Sequence, residues 1–449
     1  MTSSSQDRHR DLAEAAWRWV LDQVRWQDGP WIPASVGTAE NSQPPPDRDG
    51  THSGIGGLVP VLAEIRLARD WTDEERVLAE AIAERTAAQI AGQTDASYFD
   101  GLASSIGVLT ALDAPGTDAA VARLGDLMTP DGWPQTAFGP PRFAPETRAN
   151  DLTLGTAGVL LAALWAARSG TNSARELAER AAAVLMAEAE TERTGLNWRC
   201  VPDRFRPGYT QMPNLSHGLA GIATALALAG SELDRRDLTH AARLGAEHLV
   251  TLGDSSGQGF VVPHYVPRYR PEVNDEDAVT FNWCHGASGT SLLFVALDEA
   301  GIEDVAGASP LSWQQRCLHS VRSSGLPERR YPGFWDNDGR CCGTAGVGDV
   351  FLDSWQRSGT AEDLAFALHL AAALQDRAVR EELYAYWRFV EHRSEQPLLD
   401  PGVGWMQGAA GIAAFLFRVA RIGSSAPDAP AAPRMDNWWA LPRSDRMVS

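Results

Sequence analysis

Cys284, Cys341 and Cys342 stand in two short glycine-rich segments, FNWCHGASG and GRCCGTAG, whose residue types suit a thiolate-ligated metal. Thiolates are soft donors that favour Zn²⁺, and a catalytic zinc takes three protein ligands and keeps a fourth position open. Three cysteines supply that number. Cys284 and the Cys341-Cys342 pair each precede an apolar run that reads as a helix, at 290–297 and 347–355, and the amides at a helix N-terminus favour thiolate over thiol. A lone cysteine is more often a buried small hydrophobe, and Cys200 and Cys317, which lie in no such turn, read as plain core or surface thiols. The adjacent pair Cys341-Cys342, next to glycine and matched by Trp283-Cys284-His285-Gly286, reads instead as a divided zinc site whose halves must meet in space.

The elements that would position these cysteines repeat along the chain. Seven glycine-paired turns lead into apolar runs: SGIGGLVPVLAEI from Ser53, ASSIGVLTAL from Ala103, LGTAGVLLAAL from Leu154, HGLAGIATALAL from His217, HGASGTSLLFVAL from His285, CGTAGVGDVFLDSW from Cys342 and QGAAGIAAFLFRVA from Gln407. Their spacing of about 50 to 70 residues lies in or just above the range of repeat architectures. Glycine lets the backbone turn sharply and approach a neighbour closely, and a helix apolar on nearly all faces is an inner one. Most intervals hold a second pattern rich in Glu, Arg and Ala with one apolar stripe, at 74–91, 173–190, 235–252 and 361–373, which suits an outer layer with one wet face. The repeat unit is a helical hairpin, and seven of them predict an all-α fold, an α/α toroid of seven inner and seven outer helices whose closure removes the ends an open solenoid must cap. A helix over 11–26 is expected to be the outer partner of the first hairpin. The expected organisation is a disordered tail over 1–9, a single toroid domain over 10–423 and an irregular tail over 424–449. The Pro-rich stretch 33–50 reads as a loop, and 196–209 and 258–269 as loops or short strand-like insertions.

The 449 residues carry a formal charge of −19, which argues against nucleic acid or an anionic membrane as partner. No apolar h-region follows the opening MTSSSQDRHR and no run reaches the length of a membrane span, so a cytoplasmic protein is expected. Five cysteines in a chain of this length do not make a disulfide framework, and a reducing compartment leaves them to metal or catalysis.

Taken together, W-C-x-G at 283–286, C-x-G at 341–343, S-H-G-x-x-G at 216–221 and D-x-x-x-G-x-x-G at 151–158, in this order and inside seven helical hairpins, resemble the lanthionine synthetase C-like family. The resemblance covers nearly the whole chain. It implies an α/α toroid and a catalytic zinc on Cys284, Cys341 and Cys342, with Cys342 where most members have histidine, a Cys-Cys-Gly variant. It implies Asp151 and His217 as a polar catalytic pair. Thr280 stands four residues before Cys284, where the family often has arginine, which leaves Arg199 or Arg340 as substitutes from elsewhere. His285 follows the zinc cysteine where bacterial cyclases often have tyrosine, and Trp-Cys-His-Gly resembles eukaryotic-type members that act on glutathione.

The activity so implied joins a peptide cysteine thiol to the β-carbon of dehydroalanine or dehydrobutyrine, giving lanthionine or methyllanthionine rings. A zinc-bound thiolate is the nucleophile, and the α-carbon is then protonated. Histidine suits that transfer, with His217 first, oriented by Asp151, and His285 second. For Asp151 the alternative is a helix N-cap; for His217 it is a helix-capping role. Tyr98, Asp100 and Trp405 occupy equivalent turns and read as shaping residues, and Trp165, Trp198, Trp335 and Trp355 as packing. The expected substrate is a dehydrated precursor peptide, with a separate dehydratase as possible partner, since 449 residues leave no room for a fused one. The competing readings are a glutathione-adding protein, a zinc-stabilised binding scaffold without turnover, and another toroid enzyme such as a glycosidase. The last needs a carboxylate pair that the sequence does not place.

Overall fold

The computed structural model describes residues 3–37, 43–135, 144, 147–208, 210–266, 278–328, 337–390, 398–422, 429–432 and 434–441, with side chains from residue 7 onward. Trp335 lies outside them. Fourteen α-helices lie among the described residues, in two compact units, Met1–Arg85 with Gly325–Ser449 and Thr86–Ser324.

In the unit built on Thr86–Ser324, four inner helices alternate with four outer ones: α4 (Leu102–Ala111), α6 (Thr156–Arg168), α8 (Leu219–Glu232) and α10 (Ala287–Glu299) with α5 (Thr117–Leu127), α7 (Ala174–Ala187), α9 (Arg236–Leu252) and α11 (Pro310–Arg322). Each inner helix packs on the outer helix that follows it, and α4, α6 and α8 each pack on the next inner one. This is the hairpin of the α/α toroid class. Burial follows the sequence pattern. Every residue from Leu219 to Gly230 in α8 is buried, whereas α9 buries only Leu238, Ala241, Ala242, Gly245, Ala246, His248 and Leu249, a stripe at helical spacing.

The unit of Met1–Arg85 and Gly325–Ser449 holds inner helices α2 (Leu58–Ala68), α12 (Thr344–Ser358) and α14 (Ala409–Ile422), with outer helices α1 (Ser3–Asp22) and α13 (Ala361–Arg377); α3 (Asp73–Gln89) crosses the boundary. Two expectations change here. Helix α1 begins at Ser3, so residues 3–9, expected as a tail, are helical. It packs along α14 and not as partner of the first inner helix. The reason is that α14 is apolar on nearly every face, buries all but Arg421, and has no outer helix after it among the described residues. Its cover comes from the other end of the chain. The α2–α3 turn is tied to α1 as well, through Trp17 Nε1–H donating to Glu75 Oε1 at 2.7 Å and Arg69 pairing with Glu14 and Glu75.

Short antiparallel hairpins follow some of the outer helices, with β3 (Glu190–Glu192) paired to β4 (Gly195–Asn197) and β5 (Val379–Glu381) to β6 (Tyr384–Tyr386); β1 (Arg25–Trp26) and β2 (Pro30–Trp31) follow α1. The strand-like reading of 196–209 is met only at its start. Tryptophans recur with one purpose: Trp133, Trp198 and Trp387 donate Nε1–H to Leu124, Leu185 and Leu374 carbonyls in the last turns of α5, α7 and α13. The Leu124 and Leu185 carbonyls gain a partner at a helix C-terminus, Leu374 O accepts the Ala378 N–H as well, and each tryptophan buries its ring.

Candidate active site

The turns that enter α4, α6, α8, α10 and α12 have one design. Glycine is the N-cap at Gly101, Gly155, Gly218, Gly286 and Gly343, with extended backbone and no side-chain cap. Close approach, not a left-handed φ, demands it: a Cβ at Gly218 would stand 1.5 Å from the Met212 carbonyl oxygen, and one at Gly289 1.8 Å from that of Trp283. The turns are laced together by backbone bonds. Tyr98 N–H donates to Thr153 O, Thr153 N–H to Ser216 O and Ser216 N–H to Cys284 O, at 3.0 to 3.2 Å; in the other unit Cys341 N–H donates to Met406 O and Met406 N–H to His52 O. The two residues before the glycine are thereby held in register from repeat to repeat. Those positions carry Ser216-His217, Cys284-His285 and Cys341-Cys342.

In the Thr86–Ser324 unit, His217 Nδ1 lies 2.7 Å from Asp151 Oδ2 and 2.8 Å from Thr153 Oγ1, while the Thr153 hydroxyl donates to the same Asp151 oxygen at 2.9 Å. Asp151 is fully buried and His217 keeps 26 % of its side chain exposed. The proton on Nδ1 therefore faces the carboxylate, and Nε2 is the nitrogen left for exchange with a substrate. Asp151 Oδ2 also accepts the Leu154 N–H at 3.3 Å, a bond inside the turn ahead of the Gly155 N-cap, so Asp151 is not the helix cap of its alternative reading. Among the described residues Oδ1 is buried without a hydrogen-bond partner. Cys200 completes a close group with Asp151 and His217. Burial, with Asp151 beside it, pushes the Cys200 thiol well up, and the 2.7 Å between Nδ1 and Oδ2 is a hydrogen-bond separation that joins Asp151 and His217 as a pair.

His285 is held the same way by a neutral partner. Its Nδ1 meets Asn214 Oδ1 at 2.9 Å, and the Asn214 amide nitrogen donates to the Pro263 and His264 carbonyls at 3.4 Å, which leaves the oxygen for the imidazole and places the proton on Nδ1. The His285 ring lies 5.6 Å from His217 and 4.4 Å from His264, centroid to centroid. Cys284 is buried, its thiol 3.4 Å from Asn282 Oδ1, which also accepts the His285 N–H at 2.9 Å and the Thr280 hydroxyl at 3.4 Å. Thr280 thus supports the turn and brings no charge. Arg199 is turned to Glu190 and Asp203.

In the other unit, Cys341 and Cys342 place their sulfurs 3.4 Å apart, without a disulfide. Two thiolates about 2.3 Å from one tetrahedral ion stand about 3.8 Å apart, so the pair fits a shared zinc with a small adjustment. Arg340, just before it, is buried over Trp405, 4.1 Å from the ring centroid, and paired with Asp349. Trp405 and Tyr98 are both buried. Cys200 and Cys317 are buried, which decides between their core and surface readings.

The family pattern described as lanthionine synthetase C-like protein matches residues 45–429. The chain belongs to that family. It is an enzyme of the lanthionine cyclase class, with the α/α toroid fold expected from its repeats. Among solved structures, nisin cyclase is similar at 15 % identity and a TM-score of 0.57, over 83 % of this chain and 88 % of that one. The Lin0763 protein from Listeria innocua (10 %, 0.51, 93 % and 98 %) and a sugar epimerase from a ruminal bacterium (10 %, 0.51, 93 % and 99 %) share the fold. No curated protein matches the sequence significantly.

The sequence reading did not find Thr153, Asn214 or Asn282, which orient the two histidines and Cys284. They are ordinary turn residues in sequence, and only their position before the capping glycines signals them.

Proposed function

We propose that this protein is a zinc-dependent lanthipeptide cyclase that adds a peptide cysteine thiol to dehydroalanine or dehydrobutyrine. The observation that carries the reading is the Asp151–His217 dyad, with Nδ1 committed to the carboxylate and Nε2 available, in a chain of the lanthionine synthetase C-like family. Cys284, Cys341 and Cys342 would hold the ion as a three-thiolate set, the Cys-Cys-Gly variant of the family site. When bound, zinc keeps a substrate thiol as thiolate at neutral pH. His217 Nε2 takes up the thiol proton. Asp151 stabilises the resulting imidazolium through Nδ1–H. The sulfur pair forms the C–S bond at the β-carbon, the π pair moves to the α-carbon and its carbonyl, and Nε2–H returns the proton to the α-carbon. No co-reactant is consumed. His285, with its Nδ1–H on Asn214, is the second group able to exchange a proton through Nε2. The substrate is a dehydrated precursor peptide, made so by a separate dehydratase.

The test is zinc per chain in the parent and in Cys284→Ala, Cys341→Ala and Cys342→Ala, beside loss of free thiol from a dehydrated peptide. About one zinc in the parent, with much less in each variant and rings formed by the parent alone, is expected. Well-folded parent without zinc or turnover would defeat the proposal. Glutathione added beside the peptide tests the alternative thiol acceptor, which wins if the adduct forms and the rings do not.

A further inference from the structure

Residues 434–441 carry no repeat signal, yet they are packed into the interior of their unit. Arg434 is 5 % exposed and Trp439 3 %. The Arg434 guanidinium faces Glu64 of α2 at 4.0 Å, Asp349 and Asp353 of α12 at 3.7 and 3.9 Å, and Asp436 at 3.3 Å. Asn437 Nδ2 donates to Asp353 Oδ2. Arg418 of α14 pairs with Asp349 at 2.9 Å and Asp353 at 2.5 Å, and Arg421 with Glu64 at 2.6 Å. Four arginines with four carboxylates make a closed ionic cluster.

One arm of that cluster reaches the thiol pair. Arg340 directly precedes Cys341; its Nη1 pairs with Asp349 and its Nη2 faces the second oxygen of Asp436 at 3.7 Å. Trp405 lies against the guanidinium, and the backbone N–H groups of Arg340 and Cys341 both donate to Met406 O at 2.8 Å. Residue 340 is therefore fixed in backbone and side chain. Buried ion clusters are seldom more stable than apolar packing of the same volume, so the contribution of this one is geometric. Cys341 and Cys342 inherit its geometry through one peptide bond.

We propose that Asp436 of the C-terminal segment is a positioning residue for the Cys341–Cys342 turn. By holding Arg340, the docked segment preorganises the two thiols for metal. The inference rests on the zinc reading above.

The experiment uses the full chain, metal-free and reloaded, as parent, Asp436→Asn, Asp436→Glu, Arg434→Lys and Cys341→Ala. Zinc affinity is read by chelator competition, the thiolate environment by the charge-transfer and d–d bands of the Co²⁺ form, and folding by denaturant unfolding of the metal-free protein. Loss of an orienting group behind a metal ligand costs about 10- to 100-fold in affinity. That loss is expected for Asp436→Asn and Arg434→Lys, with shifted Co²⁺ bands in protein whose metal-free form still unfolds cooperatively, and Asp436→Glu should restore part of it. If Asp436→Asn and Arg434→Lys both match the parent in affinity and spectrum while Cys341→Ala loses metal, the positioning role is wrong and the zinc assignment stands. If Cys341→Ala binds as the parent does, the zinc assignment itself fails and the positioning role with it.

Discussion

The turn into α8, Ser216-His217-Gly218, and the turn into α12, Cys341-Cys342-Gly343, have the same backbone and different backing. Both place a reactive residue just before a capping glycine, and both are held by backbone bonds to the next repeat. Behind His217 stands one buried carboxylate with a threonine hydroxyl, and the imidazole edge remains partly exposed. Behind the two cysteines stands an ionic cluster buried on every side. A proton-transfer group needs a defined tautomer and an open nitrogen, which one acceptor provides. A pair of metal ligands needs fixed positions and compensation for negative charge, which a rigid field of cations and carboxylates provides. On the proposed function, one repeated turn would serve two chemistries by changing what lies beneath it.

The comparison breaks most sharply if the two turns depend on the same support. Cys341→Ala should remove most of the bound zinc and lower cyclisation on the order of 10⁴-fold, the several kcal/mol that a Lewis acid supplies, read by elemental analysis and ring formation. His217→Asn should leave zinc content unchanged and lower cyclisation by about 10³-fold, within the range of general acid–base catalysis. Equal loss of zinc in His217→Asn would show that the two turns are not separate devices.

Stability separates the backings. Asp349→Asn breaks a buried ionic cluster and should cost about 3 to 5 kcal/mol in urea unfolding. Burial alone would raise the Asp349 carboxyl, but Arg340, Arg434 and Arg418 outweigh it and hold it well below the usual range. Its contribution is therefore complete above the unfolded value of about 3.9 and is lost as pH falls from there through the folded value. Asp353, one turn on, is pushed up by burial despite Arg418 and Arg434, with Asp349 adding to the rise, so acid reaches it first. An acid titration of stability should keep a steep limb below about pH 4 in the parent that Asp349→Asn lacks. The smallest effect is expected for Asn214→Leu, which frees His285 Nδ1 and should lower cyclisation about 10-fold with zinc intact.

The sequence by itself determined the periodic part of this protein. Seven glycine turns before all-round apolar runs fix seven inner helices, because a helix without a polar face must be surrounded, and alternating amphipathic helices must then be the surround. It also marked Cys284, Cys341 and Cys342 as candidate ligands by their type beside glycine turns and His285 by its place next to Cys284, whereas Asp151 and His217 were marked through the family resemblance of their motifs. Tertiary structure decided what is not periodic. That α1 covers α14, and not the first hairpin, follows from which apolar surface remains uncovered at the far end of the chain, a question local pattern does not pose. The partners Thr153, Asn214 and Asn282 acquire their roles only when separate turns meet. The ionic cluster was not read from the sequence, although the acids at 64, 349 and 353 and the arginine at 418 lie inside otherwise apolar inner helices. Their pairing with Arg434 and Asp436 depends on an irregular segment whose place is set by charge compensation in a buried space, and no spacing rule encodes it.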